Sequence, residues 1–379
     1  MFDTSPTHLL SLHTHHFPNP YSQYPAANAN ATASKESSLV QVLVTGAAGY
    51  IGSICSEFLL ASGLSVIALD NLSEGHRAAV PPQASFYQAD FGDPAALDEI
   101  FRRHKIDAVM HFAGEALVEQ SMKAPSPFYV SNVARGIFLL DAMLRHHIKN
   151  FIFASTCAVY GEPHIVPIPE DHPKSPINPY GKSKLAFEDI LADYRKYAGL
   201  NYVSLRYFNV AGASPHRGEA RRQETHLIPL ILQAIQSSAP HVSVFGDNYP
   251  TPDGTTIRDY VHVLDIAEAH LRALKDIDRL SGSAFNVGTG AGHSIRQVID
   301  AVRRVTGSNI AEKVLPRRPG DPAELVASGE KLQRELNWQP AHSSLDEILA
   351  SAWTWKQSHP DGYATTAQPA ANPLTASSR

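Results

Sequence analysis

Cysteine is scarce in this chain: Cys55 and Cys157 are the only two among 379 residues. Two thiols cannot make the staples on which small secreted domains depend, so an apolar core must hold the fold, and a reducing, cytoplasmic setting is expected. No apolar run approaches the ~20 residues needed to cross a bilayer, which argues against a membrane protein. Positive charge is also thin. The formal net charge is -5 and no stretch is dense in Lys or Arg, which leaves no footprint for nucleic acid or an anionic membrane surface. Before Lys35 there is no Lys or Arg, and Leu9-Leu10 is only a short apolar patch, so a secretory signal is not expected.

What is present begins with two tails. Residues 1–38 are rich in Ser, Thr, Pro, Asn and Ala, with His8, His13, His15 and His16. They read as a disordered extension, or as the product of a start codon placed too far upstream. The four histidines offer metal ligands, but the composition fits an unstructured polar tail better, and no metal site is expected. Residues 364–379 share the composition and the reading. Between the tails, with 43% of the chain hydrophobic, there is material for a full core.

That middle region alternates. Residues 39–45 form a short apolar run ended by Gly46, the pattern of a buried parallel strand. A helix is expected over 50–62, stopped by Gly63, and a second strand over 65–70. Further strands fall at 85–88, 108–112, 151–155 and 202–207, with helices at 94–104, 132–147 and 180–197 between them. Strict alternation predicts a Rossmann-type, doubly wound α/β fold with a parallel sheet. From Phe208 the alternation loosens and Pro, Gly and Arg cluster. The expected division is therefore a dinucleotide-binding domain over 39–207 and a smaller substrate lobe over 208–363, some of which packs back on the first.

Gly46, Gly49 and Gly52 sit between the first strand and its helix. There Gly46 permits a tight turn, Gly49 lets the backbone approach phosphates, and Gly52 allows the helix to pack close. Asp70 ends the second strand, where a carboxylate meets adenosine ribose hydroxyls. Its charge disfavours a 2′-phosphate, and Asn71 and its neighbours offer no cation, so NAD is preferred over NADP. Asp90 can accept from an adenine amino group with Phe91 beside the ring, although a lone Asp here is more often a cap and Asp93-Pro94 already supplies one. Phe112, Ala113 and Gly114 suit a backbone passing under a cofactor, with ordinary core an equal reading of Phe112.

The chemistry lies further along. Tyr180 and Lys184 are four apart on a helix and so share a face. The strand before them empties into a hydroxyl-bearing loop at Thr156. A phenol with its free pKa of about 10 is a poor base. Lys184 and a positive nicotinamide would both favour the phenolate and draw it towards neutrality. Thr156 would hydrogen-bond the hydroxyl that Tyr180 deprotonates.

These segments resemble the extended short-chain dehydrogenase/reductases, and within them the sugar-nucleotide epimerases. The matching runs are 45–53, 70–73, 111–114, 180–184, 205–209, 245–254, 258–262, 286–290 and 317–321, so the resemblance spans 40–363, and 258–262 is the most specific. It implies tightly held NAD and inversion at the sugar C4 through a 4-keto intermediate, interconverting UDP-glucose and UDP-galactose. On the cofactor wall it implies Tyr50, Ile51, Ser131 and Tyr207 besides the residues above. Around the UDP-sugar it implies Asn209, His226, Leu227 and Phe245, with Arg258 and Arg318 on the diphosphate and Asp321 on the uridine ribose. A homodimer through the helices around Asn132 and Tyr180 is implied as well.

Several positions depart from the family pattern. Glu115-Ala116 stands where some members have Lys, Arg135-Gly136 replaces Gly-Thr, and His226 stands for Asn. Leu325 lies in the region where a Tyr can narrow the sugar pocket, which leaves room for an N-acetylated sugar. The 4-epimerisation of a UDP-hexosamine or UDP-pentose is therefore an alternative. A dehydratase would need a carboxylate directly after Thr156, and Cys157-Ala158 stands there instead. A binding protein that merely senses NAD would have no use for Thr156, Tyr180 and Lys184 together.

Overall fold

A computed structural model of the chain describes residues 40–363 except Ser238 and Pro319. Both tails, and Leu39 of the first expected strand, lie outside the described residues. Thirteen strands follow one another: β1 (Gln41–Thr45), β2 (Ser65–Asp70), β3 (Ser85–Gln88), β4 (Ala108–His111), β5 (Asn150–Thr156), β6 (Asn201–Tyr207), β7 (Asn209–Ala211), β8 (His241–Phe245), β9 (Ile257–His262), β10 (Ser283–Val287), β11 (Gly292–Ser294), β12 (Ala311–Leu315) and β13 (Glu324–Leu325). Seven make one wholly parallel sheet in the order β10-β6-β5-β4-β1-β2-β3.

Strand pleating explains why this sheet needs helices on both faces. Val42 and Val44 point one way, into a cluster with Ile54, Phe58, Ile266, Leu271 and Phe285. Leu43 points the other way, to Ile100, Leu139, Met143, Phe151, Phe153 and Phe187. The first set is covered by helices Tyr50–Ala61 and Val263–Lys275, the second by Pro94–Arg103, Gly136–Arg145 and Pro179–Ala198. Between β1 and β4 the order of the sheet reverses, and ligands bind above such a switch point.

The expected elements up to residue 207 are present with shifts of a residue or two, and two details differ. The helix expected from Asn132 starts as a widened π turn over Val130–Arg135 and becomes α-helical at Gly136. Gly136 is required there, since a Cβ would sit 2.4 Å from the Phe187 ring. The seventh strand of the large sheet, β10, comes from beyond Phe208 and lies parallel to β6, with Val287 opposite Tyr207. The helix Val263–Lys275 that precedes it also packs on the large sheet's face. The remaining strands build a smaller lobe: β9 at the centre of β7, β11 and β13, and a separate parallel pair of β8 and β12.

Candidate active site

The carboxyl ends of the large sheet place Thr45, Asp70, His111, Thr156 and Tyr207 along one edge. After β1 the chain turns at Gly46, whose φ of +72° is left-handed and whose Cβ would meet the Ala113 nitrogen at 2.7 Å. A Cβ on Gly52 would lie 2.2 Å from the Gly46 carbonyl oxygen, so the helix can approach the turn only with glycine there. Gly49 caps this helix without a side-chain hydrogen bond, and no acidic residue stands in the first turn. The amides at its start therefore face the cleft unpaired and ready for an anion.

Asp70 is buried beside the loop. It accepts from Ala48 N at 3.0 Å and Leu72 N at 2.8 Å, and burial pushes its carboxyl up despite both bonds. Asp90 is more committed than expected. It accepts from Asn71 at 3.1 Å and Gly92 N at 2.8 Å, and it pairs with Arg135 at 3.0 Å. Phe91, Asn71 and Arg135 line the cleft, and Asp90 is bonded to the last two. Phe112, Ala113, Gly114, Ser131, Tyr180, Lys184 and Tyr207 line it further along. Tyr207 donates to His270 Nε2 at 2.7 Å, because His270 Nδ1 donates to Ile266 O at 2.9 Å. Asn132 clasps the backbone of Glu115 with both amide atoms, at 2.8 and 3.0 Å, and also reaches Ser183.

Tyr180 and Lys184 ride on the helix Pro179–Ala198, which Asn178 caps by accepting from Gly181 N at 2.8 Å. Lys184 is buried and donates to Ala154 O at 3.1 Å, and burial lowers its ammonium to about 8. The Thr156 hydroxyl lies near enough to the Tyr180 phenol to draw its pKa down, so the two expected residues come together, with Lys184 one helical turn on. In the protein by itself burial pushes the phenol up to about 12, and Arg221 is the cation that draws it down. The sequence showed the lysine's spacing but not the depth of the site.

Beneath the trio lies a buried ionic network. Arg206 forks onto Glu188 at 3.0 and 2.6 Å and donates to Tyr160 at 2.8 Å, and Glu188 also accepts from Ser155 at 2.5 Å. Tyr160 in turn donates to Asn286 at 2.7 Å, tying β5, β6, β10 and the Tyr180 helix together.

In the smaller lobe, Arg258 on β9 pairs with Asp321 and donates to Pro322 O at 2.8 Å. Arg318 lies 3.8 Å over the Phe245 ring. Those four expected residues thus form two contacts with one another. Asn209 stands on β7 opposite Tyr260, and Leu325 pairs in register with Arg258 and packs against Cys157, Val159 and Phe208. Leu227 begins the helix Leu227–Ile235. His226 precedes it and binds Glu224 at 2.8 Å. With Glu219 these could share a cation, but Glu219 already holds Arg221 at 2.7 Å. Cleft residues that no sequence pattern flagged include His76, Gly218, Ala220, Arg221 and Tyr363.

This sheet order, this glycine turn and a Tyr–Lys pair at the sheet's carboxyl edge define a nicotinamide-dinucleotide enzyme. The chain belongs to the NAD dependent epimerase/dehydratase family, whose model matches residues 42–288. It is 48% identical to a UDP-glucose 4-epimerase of Halalkalibacterium halodurans over 328 residues, 86% of this chain and 98% of that one. It is 47% identical to the UDP-glucose 4-epimerase of Lacticaseibacillus casei over 325 residues, 85% of this chain and 98% of that one. Its fold matches that of the Brucella ovis UDP-glucose 4-epimerase in complex with NAD with a TM-score of 0.80, at 42% identity, covering 83% of this chain and 98% of the other.

Proposed function

We propose that this protein interconverts UDP-glucose and UDP-galactose by inverting C4 through a 4-keto sugar. The observation that carries the reading is the convergence of Thr156 and Tyr180, with the buried Lys184, at the end of the cleft lined by the glycine turn. The cleft fits NAD, because the uncapped helix start suits a pyrophosphate and Asp70 suits an unphosphorylated ribose. Gly46, Gly49, Tyr50, Ile51 and Gly52 would hold its phosphates, and Asn71, Phe91 and Ser131 its adenosine half. Phe112, Ala113, Gly114, Lys184 and Tyr207 would hold the nicotinamide half. NAD supplies the hydride acceptor and donor that the inversion needs.

The chain's own residues manage the proton and the sugar. Tyr180 takes the proton of the 4-hydroxyl as the carbonyl forms and returns it when the carbonyl is reduced, so the protein gains no net proton over the cycle. Thr156 orients that hydroxyl. Arg258 and Arg318, with Asn209 and Asp321, would grip the UDP end, where planar guanidinium forks suit diphosphate oxygens. Fixing the nucleotide and not the sugar lets the ketone present its other face. Cys157, directly after Thr156, is a buried thiol pushed up to about 12, so it supplies no acid–base group for eliminating water.

The test is the purified chain with NAD and UDP-galactose, with UDP-N-acetylglucosamine and UDP-xylose alongside. Formation of UDP-glucose is expected. Turnover of none of the three sinks the reading. Tyr180→Phe should lower kcat by about 10²–10⁴-fold while NAD stays bound.

We also infer a homodimer through the helices around Asn132 and Tyr180. Val130 and Phe138, 49% and 47% exposed, give that surface its apolar character. Two buried, unpaired thiols and the absence of any described helix long and apolar enough to cross a membrane accord with residence in the cytoplasm.

A further inference from the structure

The cofactor cleft is short of uncommitted cations. Apart from His76, its charged lining is Asp70, Glu74, Glu115, Arg135, Lys184 and Arg221. Three of these are carboxylates, and burial and the nearby Glu74 both push Glu115 up. A dinucleotide brings two further negative charges. The open helix start answers them with only about half an elementary charge.

Each of the three cations already has a partner. Arg135 pairs with Asp90 at 3.0 Å, and Lys184 is held to Ala154 O beside Tyr180. Arg221 pairs with Glu219 through Nε at 2.7 Å, with the Glu224 charge nearby, and its two terminal nitrogens have no hydrogen-bond partner among the described residues. That one bond orients the guanidinium at the cleft wall and leaves both terminal nitrogens available to an anion.

A chain of hydrogen bonds sets Arg221 beside the glycine turn. Ala48, inside the turn, accepts from His76 N at 2.9 Å. His76 Nε2 donates to Ala220 O at 2.6 Å, and Arg221 is the next residue. The strap that carries it, residues 212–226, leaves the smaller lobe after β7 and is fastened across the large one. Tyr50 donates to Gly212 O at 2.6 Å, Ser214 donates to Glu57 at 2.6 Å, and Arg217 pairs with Glu57 at 2.7 Å while donating to Ala79 O at 2.6 Å. Tyr363 accepts from Gly218 N at 3.1 Å.

We propose that Arg221 is a cofactor-binding residue, the cation that this strap delivers to the NAD pyrophosphate at the Gly46–Gly52 turn. The proposal rests on NAD being the cofactor and adds a contact from the smaller lobe to those of the glycine turn. One arginine would then tie both lobes to a single ligand, and cofactor retention would depend on the strap as well as on the turn.

The experiment uses the full chain as purified with its NAD, and the variants Arg221→Gln and Arg221→Lys. NAD per chain and its rate of loss on dilution are measured at low and high salt, with ADP-ribose and adenosine as competitors for refilling. Arg221→Gln should release NAD about 10- to 100-fold faster, the range of a charged hydrogen bond. It should also weaken competition by ADP-ribose but not by adenosine, and flatten the salt dependence. Arg221→Lys should recover part of each effect. NAD and ADP-ribose held as tightly by Arg221→Gln as by the unaltered chain overturn the proposal. Equal losses of ADP-ribose and adenosine do so too, because they would mark a general disturbance of the strap. If the unaltered chain holds neither NAD nor ADP-ribose, it is the cofactor reading itself that falls.

Discussion

The Lys184 ammonium donates to the backbone carbonyl of Ala154, 3.1 Å away at the end of β5. A lysine at this depth has lost most of its water, which is why its ammonium titrates near 8 rather than near 10.5. The contact fastens the helix that carries Tyr180 to the strand that carries Thr156. The lysine therefore acts as a strut as well as a charge.

Stability should record that burial with a definite sign. Below about pH 8 Lys184 is charged in both folded and unfolded chains, and the cost of burying the charge is borne in full. Between about 8 and 10.5 the unfolded chain binds more protons than the folded one, so stability contributed at this residue rises with pH. Lys184→Met should remove that rise. Melting of both proteins across pH 7–11 checks it, and curves that stay parallel would refute the assignment.

Glu188 is expected to be among the costliest single residues to remove. Glu188→Ala would leave the Arg206 guanidinium, 3% exposed, without its counter-charge. Breaking one side of a buried pair costs about 3–5 kcal/mol. Urea unfolding should show a loss of that size, with Ser155 also deprived of its acceptor.

Gly52→Ala separates folding from cofactor capture. The added methyl must push against the Gly46 carbonyl, so the turn shifts while the sheet beneath it remains. A folded protein that retains markedly less NAD is expected, measured as nucleotide released per chain on denaturation. Full NAD occupancy would show that the turn tolerates the shift.

Phe138→Asp tests the inferred dimer. The ring is half exposed on the helix Gly136–Arg145, so the folded chain should accept the carboxylate readily, whereas an apolar interface would not. Light scattering should report a monomer for the variant and a dimer for the unaltered chain. A variant that stays dimeric removes this surface from the interface.

How much of this was legible in the sequence depends on range. The first six strands, the glycine turn and the Tyr180–Lys184 pair announce themselves because strand pleating, helix periodicity and glycine punctuation act over a few residues. The place of β10 does not, since Ser283–Val287 joins β6 across a long excursion through the smaller lobe and nothing local specifies its partner. The depth at which Tyr180 sits is hidden for a related reason. Sequence spacing reveals that a lysine is near, but desolvation is set by everything packed around the ring. Arg221 was silent altogether, because an arginine in a loop of mixed charge acquires meaning only when His76 and Ala220 fasten that loop beside Ala48.

The late arrival of β10 has a consequence for how the protein is made. A ribosome that has delivered residue 207 has produced a six-stranded sheet whose β6 edge is bare, together with a glycine turn that lacks its strap. The sheet can close only after Val287 has left the tunnel, by which time the smaller lobe's central strand has already been synthesised. Cofactor capture should then wait until both lobes exist, and a chain cut between them should yield two insoluble fragments rather than two working halves.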